Sequence, residues 1–233
     1  MRRQQFKSEQ SYIDWLKSRG CRFYAPMDEE HGTDELIQGW TFSVKNGCSC
    51  VWDSNTQAYL ITGSSSASQT SAMWTGKSIQ GQYVGEKAAE TQYILLCDYN
   101  LTSSGSWTPS FIYGGADDYH VNFVGTGPSR NSIAAAFKEF HTRNGKAFYH
   151  GDWYSFFICY NKGDVRRCNI KTEGIDLLEA EYNNNNWAYI YNQDCDTHVS
   201  LMAGCSGYVR NLYIFATALS NEDIMTIYRH DHQ

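Results

Sequence analysis

The sequence predicts an all-β protein, an antiparallel sandwich or barrel, with a short helix at each end. Three observations carry this prediction. Short runs rich in Val, Ile, Tyr, Phe and Trp recur along most of the chain, the composition that a half-buried pleated surface favours. Asn, Gly, Asp and Ser interrupt those runs about every ten residues, the spacing of turns in β-sandwiches. No helical segments alternate with them, as a parallel α/β sheet would require. A chain of 233 residues suits one large β-domain, and no Pro/Gly-rich linker or internal repeat divides it. The domain reading is a helical appendage over residues 1–20 and one β-domain over residues 21–233.

The elements follow in order. Ser8 is placed to cap a helix over residues 8–19, where Tyr12, Ile13, Trp15 and Leu16 form an apolar face and Gly20 ends it. Residues 21–27 read as a strand ending at Pro26, followed by a polar turn over 28–39. Short strands are expected at 40–44, 48–52 and 58–62. The small-polar segment 63–78, which contains Trp74, reads as a surface loop. Strands recur at 91–99, 107–115 and 119–125. In segment 132–141 the alanines favour helix, but Asn144-Gly145 just beyond signals a hairpin, so it reads as one strand. Further strands fall at 147–150, 153–161, 165–170, 175–182, 187–192 and 198–204, and the last spans 207–218. Ser220 caps a terminal helix, and Glu222 and Asp223 in its first turn suit the helix dipole.

Composition narrows the function classes. Trp 7, Tyr 17 and Phe 11 with 42% hydrophobic residues describe a chain that folds rather than a disordered one. A net charge of -6 argues against nucleic acid as a partner, because phosphate binding wants a basic face. No apolar run approaches the length of a membrane span, and the basic start lacks the apolar core of a signal peptide. The eight cysteines are scattered, as free buried thiols are. One pair is open to a geometric argument. A two-residue turn at Gly163-Asp164 sets Cys159 opposite Cys168 on a non-hydrogen-bonded pair, close enough to bridge under oxidising conditions. Cys48 and Cys50 with His31 form the best local zinc cluster, but the C-x-C spacing and the lack of a second pair argue against a tetrahedral site.

Three segments carry a family resemblance. The closing stretch 204–228 contains Gly207, Val209, Leu212, Ile214, Ala218, Leu219, Ser220, Glu222 and Ile224 in the pattern of a last strand, an A-L-S turn and a short helix. Residues 22–39 look like the opening strand and corner, and 152–164 like a Trp-led inner strand with Trp153, Phe156, Ile158 and Tyr160 inward. The chain thus resembles the LamG-like, concanavalin A-like lectin and glucanase family over about residues 21–229. The resemblance implies an antiparallel jelly-roll β-sandwich whose last strand pairs beside the first. Residues 165–170 stand where the family has an Asn-Gly hairpin, without the Asn-Gly.

That scaffold hosts lectins, glycosidases and structural domains alike, so function rests on sites. Retaining glycosidases need two carboxylates about 5 Å apart. The nearest string, Glu173, Asp176, Glu179 and Glu181, puts only Glu179 and Glu181 on one face. The chain is therefore not read as an enzyme, and a glycoside hydrolase is the third reading. A sugar-binding module needs exposed aromatics on which C–H faces stack. Trp74, Trp107, Tyr113, Tyr119 and Trp187 fall in or beside expected loops, with Asn185 and Asn186 near to bond hydroxyls. Asp117 and Asp118 after Gly114-Gly115 could hold calcium. The best reading is a non-catalytic glycan-binding or adhesion module, with a glycan or cell-surface polysaccharide as partner. The alternative is a structural or receptor-contacting component of a phage virion or cell-surface assembly, with the N-terminal helix docking on a partner or on a second copy. The aromatic-rich, signal-free texture is similar to surface and virion proteins of gut bacteria and their phages. Either reading places the protein at a cell surface, outside the cell or on a virion. One sequon stands at Asn100-Leu101-Thr102.

Overall fold

Two capping boxes delimit the helices. The Ser8 hydroxyl accepts from the Ser11 N–H at 3.2 Å, and the Ser11 hydroxyl accepts from the Ser8 N–H at 3.1 Å. They open helix α1, Glu9–Ser18. Ser220 and Asp223 make the same reciprocal pair at the start of α2, Asn221–Asp231, satisfying N–H groups that a helix start leaves orphaned. The computed structural model describes residues 6–63, 73–78, 92–104, 110–116, 119–126, 132–135, 138–142, 151, 153–161, 164–172, 178–182, 198–203, 205–215, 217 and 219–232.

Fifteen strands run through these residues. They are β1 (Cys21–Ala25), β2 (Ser43–Val44), β3 (Ser49–Asp53), β4 (Ala58–Thr62), β5 (Met73–Ser78), β6 (Gln92–Ser104), β7 (Ser110–Ala116) and β8 (Tyr119–Thr126). After them come β9 (Ser132–Ala135), β10 (Lys138–Thr142), β11 (Tyr154–Asn161), β12 (Asp164–Thr172), β13 (Leu178–Tyr182), β14 (His198–Ala203) and β15 (Cys205–Phe215). Their pairings are antiparallel and follow the order β2-β5-β14-β7-β8-β9-β10-β13-β12-β11-β6-β15-β4-β3, with β1 added beside β15. The first strand and the last are therefore partners, as the resemblance implies. β15 pairs along one side with β6, and along the other with β4 near its start and β1 near its end.

The core beside the helices is a layer of tyrosines and aliphatic side chains. Tyr12, Leu16, Cys21, Tyr24, Tyr213, Phe215, Ile224 and Ile227 are all buried together. Tyr24 and Tyr213 stack with ring centroids 4.4 Å apart, and the Tyr12 and Tyr213 hydroxyls share a 3.0 Å hydrogen bond. Tyr12, Ile13 and Leu16 of the α1 stripe are consequently buried, and Trp15 packs partly buried against the same cluster. His31 ties α1 to the turn after β1. Its Nε2 lies 2.8 Å from Glu9 and its Nδ1 2.9 Å from Asp28. Burial works against the imidazolium, but the two carboxylates outweigh it and raise the His31 pKa. The ring is therefore engaged away from Cys48 and Cys50. Among the described residues no group of three His, Cys, Asp or Glu is arranged to hold a metal, and no helix is long and apolar enough to cross a membrane. Cys21, Cys48, Cys50 and Cys97 are free thiols. Burial pushes Cys50 up to about 11 and Cys205 up to about 12, so both are poor nucleophiles.

The structure departs from the sequence reading at three places. Segment 63–78 is not wholly a loop, because Met73–Ser78 form β5, where Trp74 pairs with Ser43 and Ser200. Ladder partners on both sides make that strand, which small polar neighbours conceal. Residues 132–141 are two strands rather than one, since β9 and β10 pair with Ala135 opposite Lys138. The Cys159–Cys168 bridge fails. Asn161 pairs with Asp164, one residue off the expected turn, and a bulge before Tyr160 sets Cys159 opposite Arg167 and Cys168 opposite Ile158.

A buried carboxylate holds the connection between β1 and β2. Glu35 is 1% exposed, and its oxygens accept from the N–H groups of Tyr24 at 2.9 Å, Ile37 at 2.7 Å and Gln38 at 2.6 Å. Burial raises its pKa against those bonds. Glu35→Ala strands three backbone donors and is expected to lower the unfolding free energy by about 3 kcal/mol. A urea midpoint equal to that of the wild type would contradict this assignment.

Candidate functional site

The ladders of β15, β6 and β11 dictate a row of side chains on one face. Arg210 pairs with Asp98, and Asp98 pairs with Ser155. Directly paired residues share a face, so these three stand side by side across three strands. The next row on that face is Val51, Leu60, Tyr208 and Asn100. Trp153 extends it, because the following residue, Tyr154, pairs with Tyr99. The opposite face carries Ile61, Val209, Tyr99 and Cys97, all buried in the core.

Asp98 organises the first row. It is 4% exposed and accepts from the Ser155 hydroxyl at 2.5 Å and the Asn211 amide at 2.9 Å. Arg210 Nε lies 3.4 Å from it and His232 Nε2 3.1 Å. Two adjacent residues of one strand reach the same carboxylate because β15 carries an extra residue between Arg210 and Tyr213. Asn211 sits in that irregularity with φ 52°, a left-handed conformation that asparagine tolerates. Burial opposes ionisation of Asp98, but His232, Ser155 and Asn211 outweigh it and hold the carboxyl below its ordinary range.

His232 is a cation here. Its Nδ1 faces the Tyr228 carbonyl at 2.7 Å and its Nε2 faces Asp98. Both partners are acceptors, so both ring nitrogens carry protons. Burial disfavours that state, but Asp98 and the Tyr228 carbonyl raise the His232 pKa. Ser155 lies 3.4 Å from the same Nε2, where no lone pair is left to take its proton. The cluster is therefore not a Ser-His-Asp nucleophile, which needs the hydroxyl and the carboxylate on different ring nitrogens. Next to it Asp231 accepts from the Tyr213 hydroxyl at 2.7 Å, with His230 Nδ1 at 3.2 Å. Burial, joined by the charge of Asp98 and opposed by the His230 and Tyr213 bonds, pushes Asp231 up to about 6.

The second row is aromatic. The Trp153 and Tyr208 rings lie 5.9 Å apart between centroids, although their strands flank β6 on opposite sides. Arg210 lies over Trp153, its guanidinium carbon 4.3 Å from the ring centroid. The Tyr208 hydroxyl donates to Asp53 at 2.9 Å. Asn100, between the two rings in the row, is 5% exposed. Its amide donates to the Gly151 carbonyl at 2.9 Å, while its buried Oδ1 has no partner among the described residues. The sequon asparagine is thus a packed strand residue that no glycosylating enzyme reaches in the folded state. Trp153 is half-buried beside Arg210. It stands on the parity of Ser155, on the face of Arg210, and not inward as the resemblance implies.

The residues singled out from sequence are placed as follows. Trp74 lies in β5, Tyr113 in β7 opposite Asn122 and Ser200, and Tyr119 at the start of β8 opposite Ala116. Glu179 and Glu181 lie in β13 opposite Asn169 and His141. Trp107, Trp187, Asn185, Asn186, Asp117 and Asp118 lie outside the described residues. The cluster around Asp98 was missed. Its signal was an aspartate within the apolar run Tyr93–Tyr99 and an asparagine within the apolar last strand.

No protein-family model matches the chain, and none of the curated proteins matches it. Solved structures share its fold. The binding domain of Paraclostridial Mosquitocidal Protein 1 is 10% identical, with 92% of this chain and 53% of that one covered and a TM-score of 0.53. The binding domain of botulinum neurotoxin DC, solved with rat synaptotagmin II, is 12% identical, with 91% and 52% covered and a TM-score of 0.53. Domain 4 of AbnA, a GH43 extracellular arabinanase from Geobacillus stearothermophilus, solved with arabinotriose, is 8% identical, with 89% and 97% covered and a TM-score of 0.52. The chain spans about half the length of the first two. These likenesses concern the fold.

The site sets a pH profile with a worked sign. Asp231 and His232 have folded pKa values above their unfolded ones, so the folded state holds the extra proton and stability falls as pH rises. For Asp231 the fall runs from about 4 to about 6, and for His232 it begins near 6.5. Asp98 is depressed, so its contribution is present above about 4 and is lost as pH falls through its folded value. Asp231→Asn is expected to lessen the decline of melting temperature between pH ~4 and ~6, leaving the share of Glu35, while keeping the decline above ~6.5. An unaltered slope in the lower window would refute the assignment.

Proposed function

We propose that this protein is a non-catalytic glycan-binding or adhesion module that works outside the cell, on a jelly-roll sandwich of the LamG-like, concanavalin A-like type. The observation that carries the reading is the Trp153–Tyr208 pair, set in a polar row with Asn100, Asp53 and Arg210. Trp153 is half-buried and is backed by the buried Tyr208, and a part-open aromatic ring beside hydrogen-bonding groups suits a sugar, whose C–H face stacks while its hydroxyls bond. The likeness to a domain solved with arabinotriose supports the same reading. Trp74, Trp107, Tyr119, Trp187, Asn185 and Asn186 are further candidate contacts within it, and Asp117 with Asp118 a candidate calcium site. A protein receptor is the second reading, favoured by the likeness to a binding domain solved with rat synaptotagmin II.

A glycan array run with calcium and with chelator tests the proposal. Binding is expected, and Trp153→Ala is expected to weaken it about tenfold, the loss of ~1.4 kcal/mol that one aromatic stacking contact supplies. No glycan bound in either condition would transfer the weight to the protein receptor.

A further inference from the structure

We propose that Arg210 is an anion-recognition residue, and that the sugar bound on this face carries a carboxylate. The inference rests on the glycan reading above and names the chemical class of its ligand. Arg210 is 29% exposed at its side chain. Its Nε is directed at Asp98, 3.4 Å away, and its plane lies over Trp153 with 4.3 Å from guanidinium carbon to ring centroid. Those two contacts use the inner edge and one face of the guanidinium. Its terminal nitrogens have no hydrogen-bond partner among the described residues.

A guanidinium fixed in this way is an ordered fork. Its planar N–H donors match the two oxygens of a carboxylate, and little side-chain freedom remains to be lost on binding. The anchor is well built. Asp98 is itself held by Ser155, Asn211 and His232, so the charge that positions Arg210 does not move with solvent. His232 adds a second positive charge on the same carboxylate, although both of its N–H groups are engaged. The nearby negative groups are turned elsewhere: Asp53 takes the Tyr208 hydroxyl, and Asp231 is held by Tyr213 and His230. Trp153 then does two things. Its ring packs against the Arg210 guanidinium, and its half-buried face supplies the apolar surface on which the ring bearing the carboxylate rests, backed by the buried Tyr208. A neutral sugar would use the aromatic pair and leave the guanidinium fork unmatched.

The test is an array bearing neutral, uronic-acid, sialylated and sulfated oligosaccharides, followed by titration of the full chain with the best acidic probe and its carboxyl-reduced form. The carboxylated set is expected to bind best, at least about tenfold tighter than the reduced form, with the difference shrinking as salt rises. Arg210→Lys keeps the charge and the pairing with Asp98 but loses the fork. It is expected to abolish most of the preference, lowering affinity for the acidic probe far more than for the reduced one. Binding of neutral sugars alone would overturn the acidic-ligand inference and leave the glycan reading standing. Preference for sulfated probes would overturn the carboxylate. Equal losses for both probes in Arg210→Lys would make Arg210 a purely structural residue. Binding of nothing on the array would remove the glycan reading itself.

Discussion

Strand β15 is the constraint on which the described structure depends. It pairs with three others and brings the first strand beside the last. Such non-local pairing closes a long loop and is costly in entropy until the whole ladder forms. The close approach that this requires is visible at Gly207, where a Cβ would run into the Asn100 carbonyl and lie 2.8 Å from the Leu101 Cα. Only glycine fits there. The irregularities of β15 are equally specific. One lies between Ser206 and Gly207, and the other between Arg210 and Tyr213. The second turns Arg210 and Asn211 onto a single carboxylate. β-Bulges re-aim side chains in this way at the cost of local ladder bonds.

The buried Asp98 links that strand geometry to the site. Removing a carboxylate from water costs several kcal/mol unless charge and hydrogen bonds replace the lost solvent. Here a hydroxyl, an amide, a guanidinium and an imidazolium do so together. The groups come from β6, β11, β15 and the end of α2. The carboxylate therefore ties four elements and orients Arg210 over Trp153. A satisfied buried polar network of this kind specifies one arrangement more sharply than apolar contact does. The face carrying Arg210 and Trp153 shares that rigidity.

The two helices extend the same logic to the flanks of the domain. The Tyr12 ring stacks on His230 at 3.6 Å between centroids, and its hydroxyl meets that of Tyr213. Arg19 pairs with Asp223 at 3.1 Å, and Thr217 donates to the Arg19 carbonyl at 2.8 Å. α1, β15 and α2 thus form one packed unit, and the end of α2 lies on the face carrying Arg210, where His232 meets Asp98 and Ser155.

Much of the fold was legible in the sequence because local signals and tertiary partners agree there. Ser8 and Ser220 cap the helices they signal, the strand runs mostly fall where β-branched and aromatic residues gather, and the pattern around the last strand points to its partnership with the first. Register was not legible. A turn one residue earlier, followed by a one-residue bulge, set Cys159 opposite Arg167 rather than Cys168, and the small polar run before Trp74 concealed a strand that only its neighbours create. The site was less legible still. Composition pointed to aromatics on loops, whereas the constellation around Asp98 assembles residues 98, 153, 155, 210, 211 and 232, which lie far apart in the chain. The sequence by itself determined an antiparallel β-protein with capped helices, because turn residues, periodicity and capping act over a few positions. The tertiary structure alone decided which carboxylate is buried, which histidine is charged and which way Arg210 faces, because those depend on register and on desolvation by distant strands.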